Sequence, residues 1–426
     1  TRVLGHRGAL AAAAVVLVAP GVNNQMTVAL NDVAPALMSA AAIVTWLDAR
    51  KTAKLGPYVV VGLFVGGAIG VKYTALLFAA ALAGVWLISI ATDSIRRRSL
   101  AAGAVVAAAA ALVVAGPWYA RAAVLRGDPV FPFFSQVEGA GAPSTFPESK
   151  LPLGRSALAV ALAPWSLTME PERVGGRAHQ LGPLFLMFLP CAIPLFKQRE
   201  FRAAALVAGL YGAACILLRQ NIRFLLPCLP VAAVAVAYAW QSLQNWPTAP
   251  RRIAATATIG LLLFLAAIPL ARLRHVPAVA LGWESREDYL ARVEPSFEPA
   301  AWINRNVPPE AHILSQEQRA FYIRQAVTRE NIYRRNTAYA QDVAGEMSLN
   351  TRLRFGGFTH VLLAEGISPA EPSADDSNIP RYDGTLTKLV DEALAAAPDQ
   401  GPKPLAEWQT ADAAGAVRRY RLLELR

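Results

Sequence analysis

Long uncharged apolar runs alternate with short charged clusters over the first two thirds of the chain, at about 9–22, 33–47, 55–71, 73–92, 99–118, 182–196, 203–218, 224–243 and 253–271. Several approach the ~20 residues that cross a ~30 Å hydrocarbon core. The shorter ones, of about 15 residues, need tilt or polar flanks to span it. The pattern therefore predicts about nine membrane-spanning helices. A further apolar run, 156–166, is too short to span and reads as interfacial or re-entrant, inside a long connection at 119–181.

After residue 271 the pattern changes to that of a soluble domain, with acids, bases and aromatics mixed. Short apolar runs at His312–Ser315, His360–Ala364 and Ala416–Leu423 predict strands, and 342–353 and 384–397 predict helices. Ser296, ahead of Phe297-Glu298-Pro299, reads as an N-cap with proline in the first helical turn. Pro-, Ser- and Asp-rich 366–383 reads as a surface loop. The expected fold class is mainly α: a polytopic membrane helix bundle over 1–271, followed by a small extracytoplasmic α/β domain over 272–426.

Composition agrees, with 54% hydrophobic and 17% charged residues and a mean hydropathy of +0.34. The net charge of +11 does not point to nucleic acid, because the basic residues punctuate apolar segments and gather on no single face. They sit in alternate connections instead: Arg2 and Arg7; Arg50, Lys51 and Lys54; Arg96, Arg97 and Arg98; Lys197, Arg199 and Arg202; Arg251 and Arg252. By the positive-inside rule these five are cytoplasmic, which places the other connections and the C-terminal domain outside. An alanine-rich, arginine-preferring composition is associated with a GC-rich bacterium, so a multi-pass inner-membrane protein is expected. Cys191, Cys215 and Cys228 lie in apolar runs without ligand spacing and read as buried small side chains.

An ionisable group at membrane depth is costly and tends to face a cavity or a partner. Asp32 opens the second run; it reads either as a helix N-cap or as a carboxylate facing an active-site cavity, where it could also bind a metal cation. Lys72, in the tight turn Lys72-Tyr73-Thr74, is either a snorkelling lysine or a phosphate contact. Trp118 and Tyr119 fit an interfacial aromatic belt, while Arg121 beside them can fork onto phosphate; Arg223 repeats that pattern at the mouth of a run containing Pro227 and Pro230. Lys72, Arg121 and Arg223 would form a cationic rim for an anionic lipid head if the bundle closes around a cavity. His312 and His360 read as ordinary domain histidines. No Walker loop, dinucleotide glycine fingerprint, HExxH or nucleophile-elbow serine is present.

Four signatures in order resemble the C-type membrane glycosyltransferases, the group of protein mannosyltransferase-like, aminoarabinose transferase-like and lipopolysaccharide sugar transferase-like enzymes. They are Asn31-Asp32-Val33-Ala34; Gly70-Val71-Lys72-Tyr73-Thr74; Pro117-Trp118-Tyr119-Ala120-Arg121 through Gly127-Asp128-Pro129-Val130-Phe131-Pro132-Phe133; and Arg223-Phe224-Leu225-Leu226-Pro227. The resemblance covers about 9–243. It implies transfer of a sugar, with inversion, from a polyprenyl-phosphate donor to an extracytoplasmic lipid, glycan or protein acceptor.

It also implies an acidic residue in a first outer loop as base or metal partner. That loop would precede Thr1, so the chain reads as N-terminally truncated, with Asp32 matching the second acidic position as a supporting acid. Lys72, Tyr73, Arg121 and Arg223 are the expected donor-phosphate contacts. No cofactor is expected beyond a divalent metal at the acidic site. Asp128 stands where the family has asparagine. Two other readings remain: a transporter or flippase of lipid-linked sugars, and a non-catalytic membrane anchor for the C-terminal domain.

Overall fold

The computed structural model describes residues 4–27, 31–130, 151–174, 181–218, 220–317, 319–330, 347–365, 385–396, 401–411 and 417–426. The chain divides into two compact units, Thr1–Ser135 with Pro143–Arg272, and Gln136–Ala142 with Leu273–Arg426.

The first unit is helical: α1 (Gly5–Val18), α2 (Pro20–Thr27), α3 (Val33–Ala49), α4 (Gly56–Val71), α5 (Ala75–Thr92), α6 (Arg97–Arg126), α7 (Ala157–Met169), α8 (Pro171–Val174), α9 (Pro183–Phe188), α10 (Arg199–Leu218), α11 (Leu229–Ser242) and α12 (Thr248–Leu273). All nine apolar runs are helical, but among the described residues only five helical stretches are long and apolar enough to cross a membrane: Ala75–Thr92, Arg97–Arg126, Arg199–Leu218, Ile222–Asn245 and Thr248–Ala271. The other four runs form shorter apolar helices, and proline is one reason. Pro20 ends α1 early and starts α2, and Pro190 and Pro194 turn Leu189–Lys197 into a 3-10 helix after α9. The chain has the make-up of a multi-pass membrane protein.

Small residues bring α4 and α6 close together. Gly62 and Gly66 of α4 face Ala107 and Ala111 of α6; a Cβ on Gly62 would lie 2.2 Å from the Ala107 carbonyl oxygen, and one on Gly66 2.7 Å from that of Ala111. Gly103, Ala107, Ala111 and Ala115 form a buried seam recurring every four residues, the small-xxx-small arrangement that lets membrane helices pack backbone to backbone. Helix α6 does not stop near 118, as the apolar run suggested, but continues to Arg126, where Gly127 closes it at φ 69°. Thirty residues make about 45 Å of helix, longer than the hydrocarbon core, so the extra turns project beyond it.

Side chains identify two ends of this bundle. Lys51 pairs with Glu200, Arg199 Nη2 lies 3.3 Å from Asp93 Oδ2, and Arg96 donates to the Arg50 carbonyl at 3.0 Å. The connections after α3, after α5 and before α10 therefore share one end. Asp32, Lys72 and Arg223 sit at the opposite ends of the same helices. Helix α7, capped by Ser156 Oγ accepting from the Ala159 amide at 3.1 Å, buries Ala163 and Leu167 and exposes Leu158, Leu162, Trp165 and Met169.

The second unit carries a five-stranded sheet in the order β2-β1-β3-β5-β4: β1 (His312–Ser315), β2 (Ala326–Arg329), β3 (His360–Glu365), β4 (Lys403–Ala411) and β5 (Val417–Glu424). β1 pairs in parallel with β2 and β3, while β5 runs antiparallel to both β3 and β4. Sequence periodicity missed β2 and β4, whose side chains are mostly exposed or half-buried and so lack an apolar run. Helices lie at Leu349–Phe355 and Thr385–Ala396; the start of the 342–353 expectation and the 366–383 loop fall outside the described residues. Ser296 precedes the helix Phe297–Asn306 but does not cap it. Its backbone is already helical, and its hydroxyl donates to Glu294 Oε1 at 2.8 Å.

Candidate functional site

Asp32 stands immediately before α3, where an N-cap would be expected, yet its side chain accepts no bond from the first turn. Oδ1 instead takes a hydrogen bond from Lys72 Nζ, forty residues away. Lys72 is the first residue after α4; extended backbone (φ −154°, ψ 130°) ends the helix there, and the Lys72–Thr74 turn leads directly into α5. The ammonium is therefore turned inward to a carboxylate and does not snorkel. Arg223 lies in the 3-10 helix Ile222–Cys228, where Asn221 Oδ1 accepts from its amide at 3.1 Å. Its Nε comes within 4.0 Å of Asp32 Oδ2.

Three elements far apart in sequence thus deliver one carboxylate and two cations to one point. Asp32 is 4% exposed and Arg223 8%. Phe224 supports both cations, with Lys72 Nζ 4.8 Å and the Arg223 guanidinium 5.2 Å from its ring centroid. Tyr211 fixes that segment, donating to the Phe224 carbonyl at 2.6 Å. Beside them lies a narrow crevice of about 10 Å³ lined by Asp32, Pro35, Thr74, Ala75, Tyr211, Arg223, Phe224 and Pro227. A larger apolar groove of about 220 Å³ runs between α1, α3, α10 and α11 and shares Pro227 with the crevice.

The other sequence candidates lie around this cluster. Tyr73 meets Tyr119 edge to face at 5.6 Å, and Tyr119 donates to the Ile69 carbonyl at 2.9 Å, tying α6 to the end of α4. Arg121 is exposed, with its guanidinium 5.7 Å from the Trp118 ring centroid, on the part of α6 that projects past the apolar run. Buried Asp128 accepts from the Val130 amide at 2.8 Å, a local turn contact; Phe131 to Phe133 lie outside the described residues. For a divalent metal the fit is poor: Asp32 stands between an ammonium and a guanidinium, which repel a third cation. Among the described residues no group of three or more His, Cys, Asp or Glu could hold one.

Residues 1–119 match the family dolichyl-phosphate-mannose-protein mannosyltransferase. A crystal structure of ArnT from Cupriavidus metallidurans bound to undecaprenyl phosphate is similar to the chain with a TM-score of 0.53 and 16% identity, covering 99% of this chain and 79% of that one. The chain has a C-type membrane glycosyltransferase fold. Among curated proteins, none matches it by sequence. The resemblance drawn from the four sequence signatures is borne out at the level of this C-type group. Sequence reasoning did not find the partners within it: the Asp32–Lys72 pair, Phe224 beneath the cations, or Tyr211 behind it. Phe224 adjoins Arg223 in the fourth signature, which is the one signal that could have pointed to it.

The second unit holds a different polar cluster, outside the C-type bundle. Glu317, just past β1, accepts from Tyr420 Oη at 2.8 Å and Arg418 Nη1 at 3.1 Å, and Arg319 bonds Glu294 at 3.1 Å. Burial and the neighbouring carboxylate push the Tyr420 phenol above its usual value. Each strong group there has a partner, which marks a structural network. His312 bridges Thr328 and Gly357, and buried His360 has a pKa lowered by burial.

Proposed function

We propose that the protein is an inverting glycosyltransferase that moves a sugar from a polyprenyl-phosphate donor to an acceptor on the outer face of a bacterial inner membrane. The observation that carries this reading is the convergence of Lys72 and Arg223 on Asp32, beside a crevice that shares Pro227 with an apolar groove. An anionic head joined to a long apolar chain is the ligand that such a pair of spaces suits. The undecaprenyl phosphate bound by ArnT belongs to that chemical class.

In this mechanism Lys72 and Arg223 hold the donor phosphate, and Phe224 keeps both cations oriented. The acceptor oxygen forms the new bond to the anomeric carbon from the face opposite the phosphate, so configuration inverts. The bond to the phosphate oxygen breaks with its electron pair, the two cations stabilise the developing charge, and the acceptor proton passes to a carboxylate or to water. A phosphate leaving group needs no general acid. Asp32, already engaged by two cations, serves as their counter-charge. Tyr73 packs the turn that carries Lys72, and Arg121 lies apart, where it would meet headgroups.

Sidedness follows from charge. The end formed by the connections at 50–54, 93–98 and 197–202 is rich in Arg and Lys and faces the cytoplasm, which puts the crevice outside. Helix α12 then exits on the crevice side, and 272–426 forms an extracytoplasmic domain. The test is sugar transfer by membranes containing the protein, with a panel of radiolabelled polyprenyl-phosphate sugars, for wild type, Lys72→Gln and Arg223→Gln. Transfer that both variants abolish while remaining folded supports the reading. No transfer with any donor, together with unaltered lipid-head binding by both variants, would point to a membrane anchor.

A further inference from the structure

Just past the end of α10, one buried side chain makes three hydrogen bonds. Gln220 is 5% exposed and stands between α10 and the 3-10 helix that carries Arg223. Its Nε2 donates to the Ile216 carbonyl at 2.9 Å, one of the four carbonyls that a helix end leaves without an internal partner. The same amide grips the outer connection: Oε1 accepts from the Leu153 amide at 2.7 Å, and Nε2 donates to the Gly154 carbonyl at 2.5 Å.

Residues 151–154 form a tight turn, closed by the Gly154 amide donating to the Leu151 carbonyl at 2.9 Å, with Gly154 at φ 77°. Arg173 Nη2 donates to the Pro152 carbonyl at 3.0 Å. Gln220 and Arg173 thus satisfy the peptide groups that the turn itself leaves open. Leu151 is buried, and Leu153 packs on the apolar core that contains Ile222 and Phe224. On the other side of Gln220, Asn221 is extended (φ −135°, ψ 129°) and its side chain accepts from the Arg223 amide at 3.1 Å. Only two residues separate the side chain that holds the turn from the one that reaches Asp32.

An arginine side chain is long, and a guanidinium that forks onto phosphate needs its backbone held in place. We infer that Gln220 is a positioning residue for Arg223, fixing the guanidinium at the donor phosphate by clamping its segment to the turn at 151–154. This inference rests on the donor-phosphate reading above. It makes that part of the outer connection a working part of the donor site, acting on the donor through Arg223.

The experiment measures the affinity of the purified full chain, in lipid nanodiscs, for undecaprenyl phosphate. Gln220→Met keeps the length of the side chain, removes all three bonds and changes no charge. Arg223→Gln should weaken binding about tenfold to a hundredfold, the range for hydrogen bonds to a charged group. Gln220→Met should weaken it about threefold to tenfold in wild type, but by less than about twofold beside Arg223→Gln, where no guanidinium remains to be positioned. It should also flatten the salt dependence of the affinity, as loss of a cationic contact does. A side chain that only stabilises the fold would act by the same factor on both backgrounds and leave the salt dependence unaltered.

The affinity is read from folded molecules alone. Should Gln220→Met not fold, Arg173→Gln, at an exposed side chain, frees the turn from its other hold; it should weaken binding about threefold alone and not at all beside Arg223→Gln. Equal effects of Gln220→Met on the two backgrounds, or a change below about twofold in wild type, overturn the inference, and so do the same results with Arg173→Gln where Gln220→Met does not fold. Unaltered affinity in Arg223→Gln itself would instead remove the donor-phosphate reading, and the inference with it.

Discussion

The two ends of the helical unit use charge in different ways. At one end Lys51 pairs with Glu200 and Arg199 with Asp93, with the lysine 47% and the arginine 61% exposed. Such pairs are screened and contribute about 0–1 kcal/mol each. At the other end Lys72 and Arg223 surround an acid that is 4% exposed, and both rest on an aromatic ring. Burying three charges with unequal signs costs more than exposed pairing and adds no stability that apolar side chains could not supply. The exposed end therefore reads as topology and solubility, and the buried end as chemistry.

Removing a cation from the buried end should have the largest effect. Arg223→Gln is expected to lower transfer by about 10²–10³-fold per folded molecule, as for loss of one preorganised donor to a developing negative charge. Single-turnover transfer normalised to folded protein measures this. An effect below about threefold would erase the distinction between the ends, because Arg223 would then resemble Arg199.

A second test leaves every charge in place. Gly62→Ala inserts a methyl where 2.2 Å separates its position from backbone, so α4 must move away from α6; overpacking of this kind costs about 1–3 kcal/mol. Because Lys72 terminates α4, transfer should fall together with thermal stability. A stabilising or neutral outcome would show that the α4–α6 seam does not position Lys72.

The same contrast explains what could be read from sequence. Apolar runs and spaced basic clusters are local features, so the helical character of all nine runs and the sharing of one end by three basic connections were visible without coordinates. Convergence is not local: Asp32 and Lys72 are forty residues apart, and nothing in either segment names the other. N-cap chemistry predicts a different partner for Asp32, and the ion pair prevailed because Lys72 arrives at the end of α4 with its side chain turned inward. Span lengths failed where proline converted α-helix to 3-10 helix, and β2 and β4 escaped because strands exposed along much of their length carry no apolar alternation. The Gly62–Gly66 spacing was present in the sequence, but it becomes a contact only opposite Ala107 and Ala111.

The smallest effect is expected where the comparison is easiest to break, at the exposed end. Lys51→Gln and Glu200→Gln, singly or together, should change thermal stability by less than about 1 kcal/mol and leave transfer unaltered. The double variant should lose part of the salt dependence of wild-type stability, since raising ionic strength from about 0.1 to 1 M shortens the screening length from ~10 to ~3 Å. Asp93 supplies the accompanying pH signature. A hydrogen bond from the Arg96 amide, with Arg199 nearby, holds its carboxyl below the ordinary range, so its contribution is present above about pH 4 and is lost only as pH falls through that lowered value. Stability at this end should therefore stay flat from neutral pH down to about 4 in wild type and in the Lys51 and Glu200 variants alike. A transfer defect in Lys51→Gln, with stability unchanged, would instead show that the two ends are coupled through α3, which carries Asp32 at its start and leads into Lys51 at its end.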